Sequence, residues 1–321
     1  MPTVRLHEPM STWEEGDFVQ SFALVNRKER RQDRKGRDYL DLELADATGS
    51  VVGKVWPDSP ALDATFEDKQ FVLFKGLVRR FKDHLQVNVD FCRPVNDGDR
   101  RDGFREADFV PTTPQDIDEL WRRLGALYPG VLTREPLRRL AEETLARHGE
   151  ALREHPAAKT IHHAYRGGLL EHVVSMAELA ARVCDHYAEV DRDLLLVGVL
   201  FHDLGKLREL GPMPVNDYTL EGQLVGHVVI GHGMLLECCA AVPGFPADLR
   251  LRLEHLVLSH HGQRQYGSPT EPATPEAFVL SSIDELDSRL CQLRDVRRQG
   301  GGLQYVRGLG RSVYLDGPVE A

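Results

Sequence analysis

No apolar run in this 321-residue chain reaches the roughly 18 residues that a membrane-spanning helix needs, and the opening MPTVRLHEPM holds no apolar signal region. Export and membrane insertion are therefore not expected, and a cytoplasmic location is. Cysteine is scarce and unpatterned: Cys92, Cys184, Cys238, Cys239 and Cys291 contain no CxxC pair and are odd in number. That argues against both a disulfide framework and a cysteine zinc site, and fits a reducing compartment. Internal repeats and low-complexity tracts are absent too. Positive charge is in deficit, at a net −10, which argues against nucleic-acid affinity over the whole surface. The deficit is uneven. Residues 1–96 carry 15 Lys and Arg against 16 Asp and Glu, whereas the remainder carries 25 against 34. The acidic surplus lies in the C-terminal part, where metal ligands are expected.

Short alternating runs fill residues 1–96: Asp17–Val25, Tyr39–Ala45, Val51–Trp56, Gln70–Val78 and His84–Phe91. Turn-forming groups such as Arg34-Lys35-Gly36, Ala47-Thr48-Gly49 and Lys82-Asp83 separate them. Leu40, Leu42 and Leu44 alternate with Asp41 and Glu43, the pattern of a strand with one buried face. Five strands in so short a stretch predict an all-β, five-stranded oligonucleotide-binding (OB) barrel. The segment Arg27–Arg37, read as the first inter-strand loop, sets Arg27, Lys28, Arg30, Arg31, Arg34, Lys35 and Arg37 against two acids. Arg79, Arg80 and Lys82 surround Phe81 in a later turn. A cationic track with rings beside it holds a single strand and stacks its bases without reading sequence. Tyr39, Trp56 and Phe81 are the candidate stacking rings, with packing in the barrel as the alternative for each.

Residues 97–114 are polar and rich in turn formers, ending in Val110-Pro111-Thr112-Thr113-Pro114, and read as a linker. Thr113, Pro114 and Asp116 make a helix start. Helical spacing then runs over 115–299, beginning with Leu120, Leu124 and Leu127 and continuing through Leu137, Leu140, Ala141 and Leu145. An all-α helical bundle is expected there. The Gly-rich tail, 300–321, holds Tyr305, Arg307, Arg311 and Tyr314; covering an entrance, mediating assembly and simple fraying are all open for it.

Twelve of the fourteen histidines fall between His148 and His261. His172 lies beside the apolar helix face of Leu169, Leu170, Val173 and Val174. His202 and Asp203 end the apolar run LLLVGVLFHDLGK (Leu194–Lys206). His227 sits within GQLVGHVVIGH, His260 and His261 close the run Leu253–Ser259, and Asp284 lies in the helical stretch Phe278–Leu290. A buried imidazole or carboxylate without a partner costs several kcal/mol by rough estimate. One or two shared divalent metals would satisfy His172, His202, Asp203, His227, His260 and Asp284 together, built from side chains on facing helices. Histidine and carboxylate without thiolate suit Mn, Fe, Co, Ni or Zn and do not choose among them.

His172, then His202-Asp203, then Asp284 resembles the HD superfamily of metal-dependent phosphohydrolases. His227 and His260 resemble its expanded, two-metal pattern. The words HHAYRGGLLEH, FHDLGKLREL, LEGQLVGH, LSHHG, GSPTEP and SSIDELD resemble the YhaM-type 3′-5′ exoribonucleases, which also carry an N-terminal OB domain. GRDYLDLELADATGSVVGKVW and the turn before HLQVNV are similar to theirs. The likeness spans about residues 12–290.

The resemblance implies a first metal on His172, His202, Asp203 and Asp284, with Asp203 bridging to a second on His227 and His260. Manganese is the metal it favours, with Fe, Co, Ni, Mg and Zn left open. A metal-bound hydroxide would then cleave single-stranded RNA from its 3′ end to nucleoside 5′-monophosphates. Single-stranded DNA stays open as a further substrate, and a homo-oligomer is expected by analogy. Asp203, Lys206 and His261 are the candidate catalytic groups. Lys206 is poised for a phosphate oxygen, and His261 is a ligand, a hydrogen-bonding partner of the leaving group or support for a ligand. His162, His163 and Arg166 are candidates to contact the terminal nucleotide. Glu171, Glu221 and Asp287 are alternative carboxylates, Asp287 standing one helical turn from Asp284. Two other readings remain. One is an HD hydrolase of a small cyclic or linear nucleotide, which leaves the basic segment unexplained. The other is a non-catalytic nucleic-acid-binding module on a structural metal core.

Overall fold

The alternating runs close into a barrel. In the computed structural model, β1 (Val4–Leu6) runs parallel beside β2 (Phe18–Gln32), which pairs antiparallel with β3 (Asp38–Asp46). β3 pairs with β4 (Gly49–Val55), β4 runs parallel to β6 (His84–Pro94), β6 pairs with β5 (Phe71–Phe81), and β5 returns to β2. That closed order, 2-3-4-6-5, is the five-stranded OB arrangement. Leu40, Leu42 and Leu44 point inward with Val19, Val55, Phe74 and Val87, all buried. The structure describes residues 4–82, 84–101, 103–128, 130–159 and 163–317. Chain contacts divide it into two units, residues 1–112 and 113–321.

Two features of the first unit differ from the sequence pattern. The basic segment is mostly strand: β2 continues through Gln32, and only 33–37 turn. Strand pairing supplies the reason, since Arg27–Gln32 pair residue for residue with Asp38–Glu43, past Leu24, where the pairing of β2 with β5 ends. The stretch read as linker is partly folded. It forms α1 (Asp97–Arg101) and seats Phe104 and Phe109 against Phe22 and Phe71 on the barrel's outer side.

The second unit is helical: α2 (Ile117–Leu127), α3 (Glu135–Glu154), α4 (Gly168–His186), α5 (Arg192–His202), α6 (Lys206–Glu209), α7 (Leu220–Val225), α8 (His227–Ala241), α9 (Ala247–Ser259) and α10 (Pro275–Gln299). The tail adds a hairpin, β7 (Gly302–Val306) and β8 (Arg311–Leu315). α5 is the central element. Asp191 caps its start by accepting from the Leu194 N–H, and Leu194 through His202 are all buried. A helix apolar on every side belongs in the middle of a bundle, and α4, α8, α9 and α10 pack around it. Among the described residues no helix is long and apolar enough to cross a membrane.

The turn after α5 is shaped by close approach. A Cβ on Gly205 would stand 2.0 Å from the His227 carbonyl oxygen. Glycine there lets the His-Asp turn lie directly against the start of α8. This contact brings Asp203 and His227 together.

Candidate metal centre

Five helices deliver side chains to one point: His172 from α4, His202 and Asp203 from the end of α5, His227 from the start of α8, His260 and His261 from the end of α9, and Asp284 from α10. His172 Nε2 lies 3.2 Å from His202 Nε2 and 3.3 Å from Asp284 Oδ1. On the other side His227 Nε2 lies 3.2 Å from His261 Nε2. Asp203 stands between the two groups, with its oxygens facing different ways. Oδ2 is 3.6 Å from His172 and 3.4 Å from His202; Oδ1 is 3.6 Å from His227 and 3.8 Å from His260.

The far side of each imidazole explains why the Nε2 atoms converge. His202 Nδ1 donates to the Val199 carbonyl at 2.7 Å, His260 Nδ1 to the Val257 carbonyl at 2.7 Å, and His261 Nδ1 to the Tyr266 carbonyl at 2.8 Å. His227 Nδ1 donates to Glu209 Oε1 at 3.0 Å and His172 Nδ1 to Asp287 Oδ2 at 2.8 Å. A proton fixed on Nδ1 leaves the Nε2 lone pair for a metal.

Burial opposes charge on Asp203, yet Lys206, His202 and His227 hold its carboxyl well below the usual range. Burial likewise opposes charge on Asp284, and His172 and His202 outweigh it. His260 is pushed down by burial and by its neighbours His261 and His202, and His261 chiefly by burial, so both are neutral imidazoles. His172 goes the other way: burial opposes its charge, but hydrogen bonds to Asp284 and Asp287 raise it to about 9, so a metal bound there must displace a proton. Asp203 Oδ1 and His260 Nε2 are buried with no hydrogen-bonding partner. Orphaned acceptors of this kind are costly without a cation. The donor set therefore fits a divalent metal, with two ligand groups, His172-His202-Asp203 and Asp203-His227-His260-His261, sharing one carboxylate.

The other expected site residues fall differently. Lys206 donates to Asp203 Oδ2 at 2.6 Å, and its side chain is only 13 % exposed, so its ammonium is committed to the shared carboxylate. His162 lies outside the described residues. His163 is buried and bonded to Tyr165 and Asp287, away from solvent. Arg166 is paired with Glu154 at 2.8 Å. Of the alternative carboxylates, Glu171 accepts from Thr113 and Tyr165, Glu221 pairs with Arg208, and Asp287 supports His172.

On the barrel many expected cations are already paired. Arg27 meets Glu29, Arg31 meets Glu29 and Asp41, Arg30 meets Asp38, Arg37 meets Asp33 and Asp58, and Arg80 meets Glu15. Lys28 donates to the Phe66 carbonyl and lies over its ring. Arg34, Lys35, Arg79 and Lys82 are exposed, with Lys82 beside the exposed Phe81 ring. Tyr39 and Trp56 are brought together, ring centroids 5.2 Å apart, with Lys54 over Tyr39 and Asn88 accepting from the Trp56 indole. Lys54 and Asn88 were not singled out from the sequence, since one polar residue on an outward strand position carries no local signal.

Residues 169–289 match the family model described as HD domain, and residues 106–190 match a model described as putative helicase. A 3′-5′ exoribonuclease YhaM of Shouchella clausii is 34% identical over 279 residues, covering 86% of this chain and 85% of the relative. The YhaM exoribonuclease of a Geobacillus strain is 32% identical, covering 87% and 84%, and that of Bacillus subtilis is 32% identical, covering 86% and 87%.

Proposed function

The chain belongs to the YhaM family of 3′-5′ exoribonucleases, and on that premise we propose how its metal centre and barrel divide the work. It is a metal-dependent hydrolase. The substrate we assign is single-stranded RNA, cut at the 3′-terminal phosphodiester to release nucleoside 5′-monophosphates, with single-stranded DNA as a second substrate. His172, His202, Asp203 and Asp284 would hold one ion, and Asp203, His227, His260 and His261 another, manganese being the metal we favour. When bound, the ions supply Lewis acidity at the phosphoryl oxygens and make water a competent nucleophile near neutral pH.

The protein's own groups do the rest. Lys206 fixes the Asp203 carboxylate and lowers the net charge that an approaching phosphate meets. The backbone carbonyls keep His202, His260 and His261 aimed, and Glu209 does the same for His227. Tyr39 and Trp56 offer a stacking platform on the barrel, and Arg34, Lys35, Arg79 and Lys82 offer charge to the strand's backbone.

The observation that carries this reading is Asp203, whose two oxygens face two separate histidine groups. It is tested with a labelled RNA oligonucleotide and Mn²⁺. Asp203→Ala is expected to abolish shortening of the oligonucleotide while strand binding, read by fluorescence anisotropy, persists. Full activity in Asp203→Ala would overturn the ligand assignment. Wild-type hydrolysis of free nucleotides alone would move the protein to the small-nucleotide class.

A further inference from the structure

Beneath His172 lies a buried chain of polar groups that meets the proposed ligand set at His172. Asp287 Oδ2 accepts from His172 Nδ1 at 2.8 Å and from His163 Nε2 at 3.3 Å, and Oδ1 accepts from Ser175 Oγ at 2.6 Å. The chain continues outward: His163 Nδ1 lies 2.9 Å from Tyr165 Oη, and Tyr165 Oη donates to Glu171 Oε2 at 2.8 Å. Thr113 Oγ1 donates to the same oxygen at 2.6 Å.

Proton counting fixes the roles. A phenol has one proton to give. Tyr165 spends it on Glu171, so its oxygen accepts from His163 Nδ1–H. The other His163 nitrogen faces a carboxylate, which only accepts. Both nitrogens therefore carry hydrogen, and His163 is a buried imidazolium held between Glu171 and Asp287. Asp287 in turn receives three donors and presents a fully ionised carboxylate to His172 Nδ1.

We propose that Asp287, held by Ser175 and the His163 imidazolium, is a positioning residue for the metal centre: it fixes the tautomer and ring angle of His172 without binding metal itself. The inference rests on the metal reading above. It assigns a different role to a cluster, His163-His172-Asp287, whose atoms lie close enough together to hold an ion of their own. His202, His260 and His261 need no such device, because carbonyls hold them, two from within their own helical turn. His172 lies inside α4, just past its first turn, where the nearby carbonyls are committed to the helix.

The test is calorimetric titration of metal-stripped, full-length protein with Mn²⁺. Wild type is compared with Asp287→Asn, which keeps the size of the side chain, and Asp287→Glu, which keeps its charge. Affinity is expected to fall about 10–100-fold in Asp287→Asn with the number of bound ions unchanged, and to recover in part in Asp287→Glu. Wild-type affinity in Asp287→Asn overturns the proposal. So does loss of one whole ion with the remainder bound as in wild type, because Asp287 would then be a ligand. Should Asp287→Asn fail to fold, Ser175→Ala removes one of the three donors alone; a several-fold loss of Mn²⁺ affinity supports the proposal and no loss overturns it. A wild type that takes up no Mn²⁺ would bring down the metal reading and this inference with it, a result distinct from wild-type uptake matched by the variants.

Discussion

Single residues set the chemistry, and the charged ones in the second unit differ mainly in what lies behind them. Burial opposes charge on His163, but hydrogen bonds to Asp287, Cys291 and Glu171 push it up to about 11. Burial raises Glu171, and His163 and Thr113 bring it down to about 2. The signs give a stability window. His163 has its raised value only when folded, so its contribution is complete below about 6.5 and is lost as pH climbs through about 11. Glu171 contributes fully above about 4.5 and loses its contribution as pH falls through about 2. In chelator-treated protein, the melting-temperature deficit of His163→Gln against wild type should be greatest between those limits and shrink steadily on the alkaline side. A deficit independent of pH would mean that His163 is not a buried cation. At this scale the proposed ligands were legible and the groups bonded behind them were not. His202-Asp203 and His260-His261 announce themselves as polar pairs closing apolar runs. Asp284 and Asp287 share a helix face one turn apart, and only the 2.8 Å contact to His172 Nδ1 separates ligand from support. His163 stands beside His162 in the sequence, yet its partner Asp287 is 124 positions away.

Elements were legible where burial imposes a period. β3 reads directly from Leu40, Leu42 and Leu44, and α5 from its unbroken apolar run. The outer half of β2 did not, because Arg27–Gln32 pairs with β3 alone and buries no apolar residue, so it shows no apolar period. Nor did the folded part of 97–114, since Phe104 and Phe109 are isolated apolar residues in polar surroundings and acquire a partner only when Phe22 is placed beside them. Rereading β2 as strand also changes where nucleic acid should bind. Its arginines lie mostly in ion pairs across to β3, so the Tyr39–Trp56 pair is the platform we propose. Base stacking on an aromatic ring contributes about 1–3 kcal/mol. Trp56→Ala should therefore weaken oligonucleotide binding roughly 5–150-fold with little change in its salt dependence. Arg34→Ala with Lys35→Ala should instead flatten the salt dependence. Anisotropy titrations across salt concentration separate the two, and a Trp56→Ala variant that binds as wild type would remove the platform from the barrel.

Across the molecule, the two units have separate apolar cores, one lining the barrel around Leu42 and Phe74, the other built around α5. Every proposed ligand belongs to the second core's helices, and every proposed strand contact belongs to the first. A ligand that binds only the folded form stabilises it by mass action, about 2.7 kcal/mol at a hundredfold excess over its Kd. Metal and nucleic acid should therefore act on different parts of the same chain. Scanning calorimetry of the full chain is expected to show two transitions in chelator. Mn²⁺ should raise one of them and leave the other in place, and a short oligonucleotide, added to Asp203→Ala so that it survives, should raise the one that Mn²⁺ leaves. A single transition that both ligands raise together would show that the barrel and the helices unfold as one body. In that case the cores, though separate in packing, would be joined in stability, and loss of metal would loosen the grip on the strand as well as the chemistry at its end.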